Sequence, residues 1–327
     1  MTKRILVISD SLHDLPAAVD ALSRSGHEVR YHHDLTHFSQ MPPEEISAAD
    51  AIVMGRVMGT NAEALGLARN ARVIALHTSG SDNVDLAAAT RQGVVVTNVK
   101  GVNAEQCAEF SIGLILAVTR QIRTGDIAIR NGEWNARTLS SLDLFGATLG
   151  VIGLGLIGKA AVRRAAAFGM RILVHTRTPD LAFGEEFGVT YVDKATALAE
   201  ADVVSVYASL TPDTRQMIGE RELRLMKPSA YLVNIARGEL IDEGALLRAL
   251  TEGWIAGAAL DVFETEPLTE SPFFSLDNVI LTPHQAGLAH SAKSNAATRA
   301  VNNALDVLAG RMPKDAINPE AFRGAKA

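Results

Sequence analysis

The chain has 327 residues, 47% of them hydrophobic and 21% charged, with a net charge of −6, so it is long enough for two domains and a sizeable core. Aromatic residues make up only 5% and Lys and Arg are scattered, which leaves no phosphate-tracking stripe or base-stacking platform for nucleic acid. The single cysteine, Cys107, forbids an internal disulfide, no Cys/His spacing suggests a metal, and no apolar run reaches bilayer length, so the expectation is a cytoplasmic protein with no metal and no membrane partner.

The N-terminus has Lys3 and Arg4 before an apolar run, too short for a signal segment and without a small-residue cleavage site, so it reads as a first strand. Strands are predicted at Ile5–Ile8, Glu28–Tyr31, Ala51–Met54, Val73–Leu76 and Val94–Thr97, with helical patterns between several of them, as at Leu15–Ser25. Gly26 and Gly93 stand where a helix gives way to a strand, the place for a left-handed cap. This alternation predicts parallel sheets with helices on both faces. A helix over Ala104–Arg120 leads into the second half, and no Pro- or Ser-rich linker marks a boundary.

At Thr148–Arg177 an apolar run, Leu149–Ile152, meets Gly153-Leu154-Gly155-Leu156-Ile157-Gly158, then an alanine-rich helical stretch and a second run, Ile172–Val174. A GxGxxG alone is weak, but between a strand and a helix in a unit of about thirty residues it predicts dinucleotide binding. Gly153 permits the tight turn, Gly155 lets the backbone approach a pyrophosphate, and Gly158 lets the helix close on the strand. The helix-start amides of Leu156 and Ile157 then face the diphosphate. An acidic residue is expected after the second strand, to accept from the ribose hydroxyls. Instead the chain reads His175-Thr176-Arg177-Thr178. Arg177 can fork onto a 2′-phosphate, and Thr176 or Thr178 can donate to it, so NADP(H) is preferred over NAD(H). The alternative is that Arg177 is only solvated and Asp180 serves NAD.

Further strands are predicted at Val189–Tyr191, Val203–Val206, Leu232–Ile235, Ile255–Leu260 and Val279–Thr282. A last helix, Ser291–Leu308, has no strand to follow and is expected to return to the first domain. The fold class is thus α/β, with two Rossmann-like or flavodoxin-like doubly wound domains and a cleft between them. The expected domains are a discontinuous substrate-binding domain, 1–98 with 287–327, and a dinucleotide-binding domain, 99–286. The chain would cross near Thr97–Lys100 and His284–Gly287, as a hinge does. The tail after Pro319 is expected to fray.

Three segments place polar residues at strand ends, outside which sites in open α/β sheets lie. Arg237, in Asn234-Ile235-Ala236-Arg237-Gly238, could hold a substrate carboxylate by two parallel hydrogen bonds and polarise an adjacent carbonyl, or merely cap a turn. Asp261 ends a buried-looking strand, with Glu264 and Glu266 on the turn beyond. His284 follows Thr282-Pro283; beside a carboxylate its tautomer is fixed and the imidazolium favoured, which makes a general acid near neutrality.

The glycine turn, Asn234-Ile235-Ala236-Arg237-Gly238, Asp261-Val262-Phe263-Glu264-Thr265-Glu266-Pro267 and Thr282-Pro283-His284 together resemble the D-isomer-specific 2-hydroxyacid dehydrogenase family. In the N-terminal half, Gly80-Ser81-Asp82-Asn83-Val84-Asp85-Leu86 and Asn103–Glu109 resemble its substrate-loop and domain-entry motifs. The resemblance covers nearly the whole chain. It implies Arg237, Glu266 and His284 as the catalytic set, the choice of Glu266 over Glu264 coming from its place before the proline. It implies that amides around Ser79, Gly80 and Ser81 join Arg237 on the substrate carboxylate, and that Asp261 meets the nicotinamide amide. The remaining cofactor contacts it implies are Ala208, Ser209, Thr214, Ile235, Ala236, His284 and Gly287. A homodimer built mainly through the nucleotide domains is implied as well.

Departures from the family pattern matter. Thr176-Arg177 replaces the acidic residue of NAD-dependent members and resembles NADP-preferring glyoxylate and hydroxypyruvate reductases. Val206–Thr211 lacks the His and Pro that members often show there. Lys100 stands where many members have proline and could attract an anionic substrate tail, and Arg56 resembles a substrate-contacting position in some members. The expected reaction is reduction of a small 2-oxo acid to the D-2-hydroxy acid with NADPH. The alternatives are a nicotinamide-sensing, corepressor-like binding protein and a phosphite-type dehydrogenase on the same scaffold.

Overall fold

The computed structural model describes residues 2–35, 37–55, 59–134 and 141–322. The chain forms two compact units, Met1–Asn103 with Leu288–Ala327, and Ala104–Gly287.

In the first unit, β1 (Arg4–Ile8), β2 (Glu28–His32), β3 (Ala51–Met54), β4 (Val73–Leu76) and β5 (Val95–Thr97) form a parallel sheet in the order β2-β1-β3-β4-β5. Its strands β3 and β4 are apolar at every position, and β1 beyond Arg4, because both faces are covered. Ile5, Val7, Val53 and Ala75 pack on one side with Ala297, Ala300, Val301 and Ala304 of the helix His290–Leu308. Leu6, Ile8, Met54, Ile74 and Leu76 pack on the other with Phe38, Ile46 and Leu65. The strand period of two thus sorts one apolar run into two cores.

The segment expected to fray is partly built into this unit. Buried Asn318 accepts from Val96 N at 2.7 Å and donates to Val94 O at 2.9 Å, and a 3-10 turn at Pro319–Ala321 buries Ala321. An amide side chain that satisfies two strand groups outweighs the entropy of a free end.

The second unit is a parallel seven-stranded sheet of β6 (Thr148–Ile152), β7 (Arg171–His175), β8 (Val189–Tyr191), β9 (Val203–Val206), β10 (Tyr231–Asn234), β11 (Gly257–Leu260) and β12 (Val279–Leu281). Its order is β12-β11-β10-β9-β6-β7-β8, so the winding reverses between β6 and β9. The last residues of six strands stand in one row: Ile152 pairs with His175 and Val206, Val206 with Asn234, Asn234 with Leu260, and Leu260 with Leu281. Every loop leaving that edge therefore starts at one level, adjacent strands being about 4.8 Å apart. Cys107, Ala108, Ile112 and Ile115 of the helix Ala104–Thr119 pack with Ala161 and Ala165 of the helix Leu156–Ala167 beneath the sheet.

Several strand limits differ from expectation by one or two residues, among them three in the second sheet. β10 ends at Asn234, not Ile235, because the Asn234 side chain accepts from Ala236 N at 3.0 Å and turns the backbone. β12 ends at Leu281 rather than Thr282. β11 begins at Gly257 rather than Ile255, close against its neighbours: a Cβ on Gly257 would lie 2.6 Å from Asn278 O.

Candidate active site

At the reversal between β6 and β9, the glycine turn is as tight as backbone allows. Gly153 has φ 98°, and a Cβ there would sit 2.7 Å from Ala208 N; one on Gly158 would sit 2.5 Å from Gly153 O. Over Gly155 there is open space within 4 Å, and this glycine caps the helix Leu156–Ala167 with no side chain on the first-turn amides. Those donors are left for a ligand, at the favourable end of the helix dipole. Leu156 is exposed beside them. The donor set and the gap fit a dinucleotide diphosphate at the switch point of the sheet.

Beyond β9, Tyr207 is buried with its hydroxyl 2.7 Å from Ser111 Oγ, and burial raises the phenol pKa. Ala208 lies against Gly153. Thr214 staples the following loop, its hydroxyl donating to Ser209 O at 2.7 Å and accepting from Thr211 N at 2.8 Å.

After β7, Thr176 is half-buried, while Arg177 and Thr178 are exposed; Arg177 makes no ion pair among the described residues. Asp180 is committed elsewhere. It caps the helix Leu181–Phe187 by accepting from Phe183 N at 3.1 Å, and its other oxygen is 2.5 Å from Lys159 Nζ. The Lys159 ammonium, then the Phe183 amide, hold this carboxyl below the usual range.

The loops after β10, β11 and β12 carry the other candidates. Arg237, half-buried, donates from Nη1 to Ala236 O at 2.7 Å, and its own carbonyl accepts from the buried Asn234 side chain at 2.8 Å. Gly238 explains how this turn meets the next. A Cβ on it would lie 1.9 Å from the Phe263 carbonyl carbon, so only glycine admits the backbone leading to Glu266. Glu266 Oε1 accepts from Phe263 N at 3.0 Å, while Oε2 is 2.9 Å from His284 Nδ1. That contact fixes the imidazole and directs Nε2 away from the carboxylate. His284 itself has φ 49°, a left-handed backbone held by its amide on Thr282 O at 3.0 Å.

Asp261 has no exposed surface. Its carboxylate accepts from Thr282 Oγ1 at 2.6 Å, Gln285 N at 2.9 Å and Ala286 N at 2.9 Å, which ties the end of β11 to the turn bearing His284 and Gly287. The thiol of Cys107 is pushed up to about 12, first by burial, then by the Asp261 carboxylate, with the Arg237 guanidinium opposing. It is core, not nucleophile.

In the first unit, Ser79 donates to Asn103 Oδ1 at 2.8 Å and its carbonyl accepts from Asn98 at 2.9 Å; Thr78 Oγ1 donates to Gly80 O at 2.9 Å. The end of β5 thereby braces the loop of Ser79, Gly80 and Ser81, and Lys100 is exposed on the turn that follows. Arg56 lies outside the described residues. At the tip of β4, His77 buries an Nε2 with no hydrogen-bond partner, and desolvation lowers its pKa to about 4. Among the described residues no cluster of His, Cys, Asp and Glu could hold a metal ion. No helix among them is long and apolar enough to cross a membrane.

Sequence reasoning missed Asn234, Gly238 and Lys159. An amide side chain at a strand end, two residues before a backbone NH it can bond, was a readable turn signal for Asn234. The other two act across distant segments and left no local sign.

The D-isomer specific 2-hydroxyacid dehydrogenase NAD-binding domain matches residues 112–286. A glyoxylate reductase of Thermococcus litoralis is 40% identical over 286 residues, 85% of this chain and 86% of that protein. A glyoxylate reductase structure from Paecilomyes thermophila aligns with TM-score 0.86 at 30% identity, over 97% of this chain and 98% of that one. An NADPH-dependent glyoxylate/hydroxypyruvate reductase from Sinorhizobium meliloti, solved with NADP and malonate, aligns with TM-score 0.87 at 29% identity over 100% of both chains. With its glycine turn at the switch point and its strand-end residues on one edge, the chain belongs to the D-isomer-specific 2-hydroxyacid dehydrogenase family and is an oxidoreductase with a nicotinamide-dinucleotide-binding domain.

Proposed function

We propose that the protein reduces a small 2-oxo acid, of the glyoxylate or hydroxypyruvate kind, to the D-2-hydroxy acid, with NADPH preferred over NADH. The observation that carries this reading is the His284–Glu266 pair at 2.9 Å, on the turns after β12 and β11, with the Arg237 turn after β10 brought by Gly238 against the segment leading to Glu266.

Reduced nicotinamide, when bound, supplies the hydride that reaches C2. Arg237 pairs with the substrate carboxylate and offsets negative charge growing on the carbonyl oxygen. His284 donates a proton from Nε2 to that oxygen, its ring fixed by Glu266 at Nδ1. Gly153, Gly155 and Gly158 with the amides of Leu156 and Ile157 hold the diphosphate; Ala208, Ser209, Thr214, Ile235 and Ala236 line the loops beside it, and Asp261 and Gly287 belong to the carboxamide end. In the first unit, the amides of Ser79, Gly80 and Ser81, with Lys100 and Arg56, are assigned to the substrate.

The NADPH preference is supported by the lack of a carboxylate at the tip of β7, by the engagement of Asp180, and by the exposed Arg177. A homodimer through the second unit is supported by the helix Ile122–Arg130, which buries none of its residues and exposes Ile122, Ile127 and Ile129, with Trp134, four residues on, 90% exposed. Sedimentation at monomer mass would refute the dimer. The function is tested by assaying NADPH and NADH separately with glyoxylate, hydroxypyruvate, pyruvate and phenylpyruvate. The expected result is fastest turnover with NADPH and one of the first two. No turnover of any 2-oxo acid with either cofactor refutes the reading and favours a cofactor-sensing role; turnover of phosphite alone replaces the substrate class.

A further inference from the structure

We propose that Lys159 sets the choice between NADPH and NADH by holding the Asp180 carboxylate away from the adenosine ribose. The inference deepens the NADPH reading above and rests on it.

Asp180 is the first carboxylate after β7, just beyond Arg177. A carboxylate in this region is the group that would accept hydrogen bonds from ribose hydroxyls and repel a 2′-phosphate. Here it is tied on every side. Oδ2 takes the Lys159 ammonium at 2.5 Å, and Oδ1 takes Phe183 N at 3.1 Å. The Tyr191 hydroxyl donates to the Asp180 carbonyl at 2.5 Å and accepts from its amide at 3.2 Å. Lys159 Nζ also lies 5.3 Å from the centroid of Phe183, the residue whose amide Asp180 caps. Lys159 follows Gly158 directly, so it reaches from the first turns of the diphosphate-facing helix to the start of the next one.

The pair is part-exposed, at 30% and 40% of the two side chains, and such pairs add little to stability. Its position gives it another use. Lys159 cancels the Asp180 charge, which follows Thr176-Arg177-Thr178 in the chain, so the field there is more positive toward a phosphate than Asp180 alone would leave it. Without Lys159, an ionised Asp180 would keep its cap but turn an uncompensated charge to the ribose. One side chain thus supplies both an attraction for the phosphorylated cofactor and a block on the other, which is how specificity between near-identical ligands is built.

The test is the ratio of kcat/KM for NADPH to that for NADH in Lys159→Met, Lys159→Arg, and Lys159→Met with Asp180→Asn. In Lys159→Met the ratio is expected to fall about tenfold or more, through weaker NADPH and tighter NADH. Lys159→Arg should keep the ratio, and the added Asp180→Asn should restore most of it, since Asn still caps the helix without charge. A purely structural defect lowers both cofactors alike, and that result overturns the proposal, as does a double variant no better than Lys159→Met. Arg177→Ala separates the two readings. If it leaves the ratio unchanged while Lys159→Met lowers it, Arg177 is wrongly assigned and Lys159 stands; the opposite pattern removes Lys159 alone.

Discussion

Gly238→Ala tests whether backbone contact between two turns builds the proton-donating pair. The added methyl carbon would lie 1.9 Å from the Phe263 carbonyl carbon and 2.3 Å from both Phe263 O and Glu264 N. Ordinary contact starts at 3.4 Å, so the turns would have to part by about 1.5 Å at the closest atom, the difference between those distances. The obstacle is main chain on both sides, so no rotamer change relieves it. Glu266 sits just downstream and anchors on Phe263 N at 3.0 Å, so it shifts with that segment and its 2.9 Å contact with His284 is disturbed. Misplacement of about 1 Å in a catalytic group costs on the order of 10²-fold in rate. Forced overpacking typically costs about 1–3 kcal/mol. Steady-state kcat/KM with the best 2-oxo acid is therefore expected to fall about 10²-fold, with a lowered Tm by calorimetry. A variant with wild-type kcat/KM and Tm would show that the contact does not position Glu266.

His284→Ala should reduce kcat by about 10²–10⁴-fold while the folded protein still binds NADPH by fluorescence titration; near-full turnover removes His284 as the proton donor. Arg177→Ala should weaken NADPH far more than NADH, read as separate KM values, and equal losses would show that it does not read the 2′-phosphate. His77 gives a pH dependence of stability. Its pKa falls from 6.5 to about 4 on folding, so the unfolded chain binds more protons between those values. The contribution is full above pH 6.5 and is lost as pH falls toward 4, up to about 3 kcal/mol. Denaturant melts from pH 7 to 4.5 should show this slope reduced in His77→Leu; identical slopes would refute it.

What the sequence disclosed was whatever a local pattern encodes. Apolar runs such as Ile5–Ile8 and Val203–Val206 are strands because both sheet faces are covered, and a covered strand needs no polar alternation. The glycine turn was legible because strand, turn and helix are contiguous. The helix Ile122–Arg130 escaped notice because it is set off from the preceding helix by Gln121 in a left-handed backbone, φ 50°, at a residue that is no glycine and so gives no local sign of a break. The buried end of the strand at Asp261 was legible, but the three donors that satisfy its carboxylate come from a turn more than twenty residues away. Gly238 and Lys159 escaped for the same reason: each acts on a partner that the fold supplies and adjacency does not.

The outer edge of β5 is closed by residues from the far end of the chain. Ala316 bridges Thr97, Ile317 N donates to Val96 O at 2.9 Å, and Asn318 accepts from Val96 N. During synthesis the second unit is complete once Gly287 has emerged, whereas the sheet begun by the first residues waits for its last helix and this clasp. A nascent chain therefore carries an open parallel edge for most of its elongation, the kind of surface that recruits stray strands. The order of maturation runs middle first, ends last.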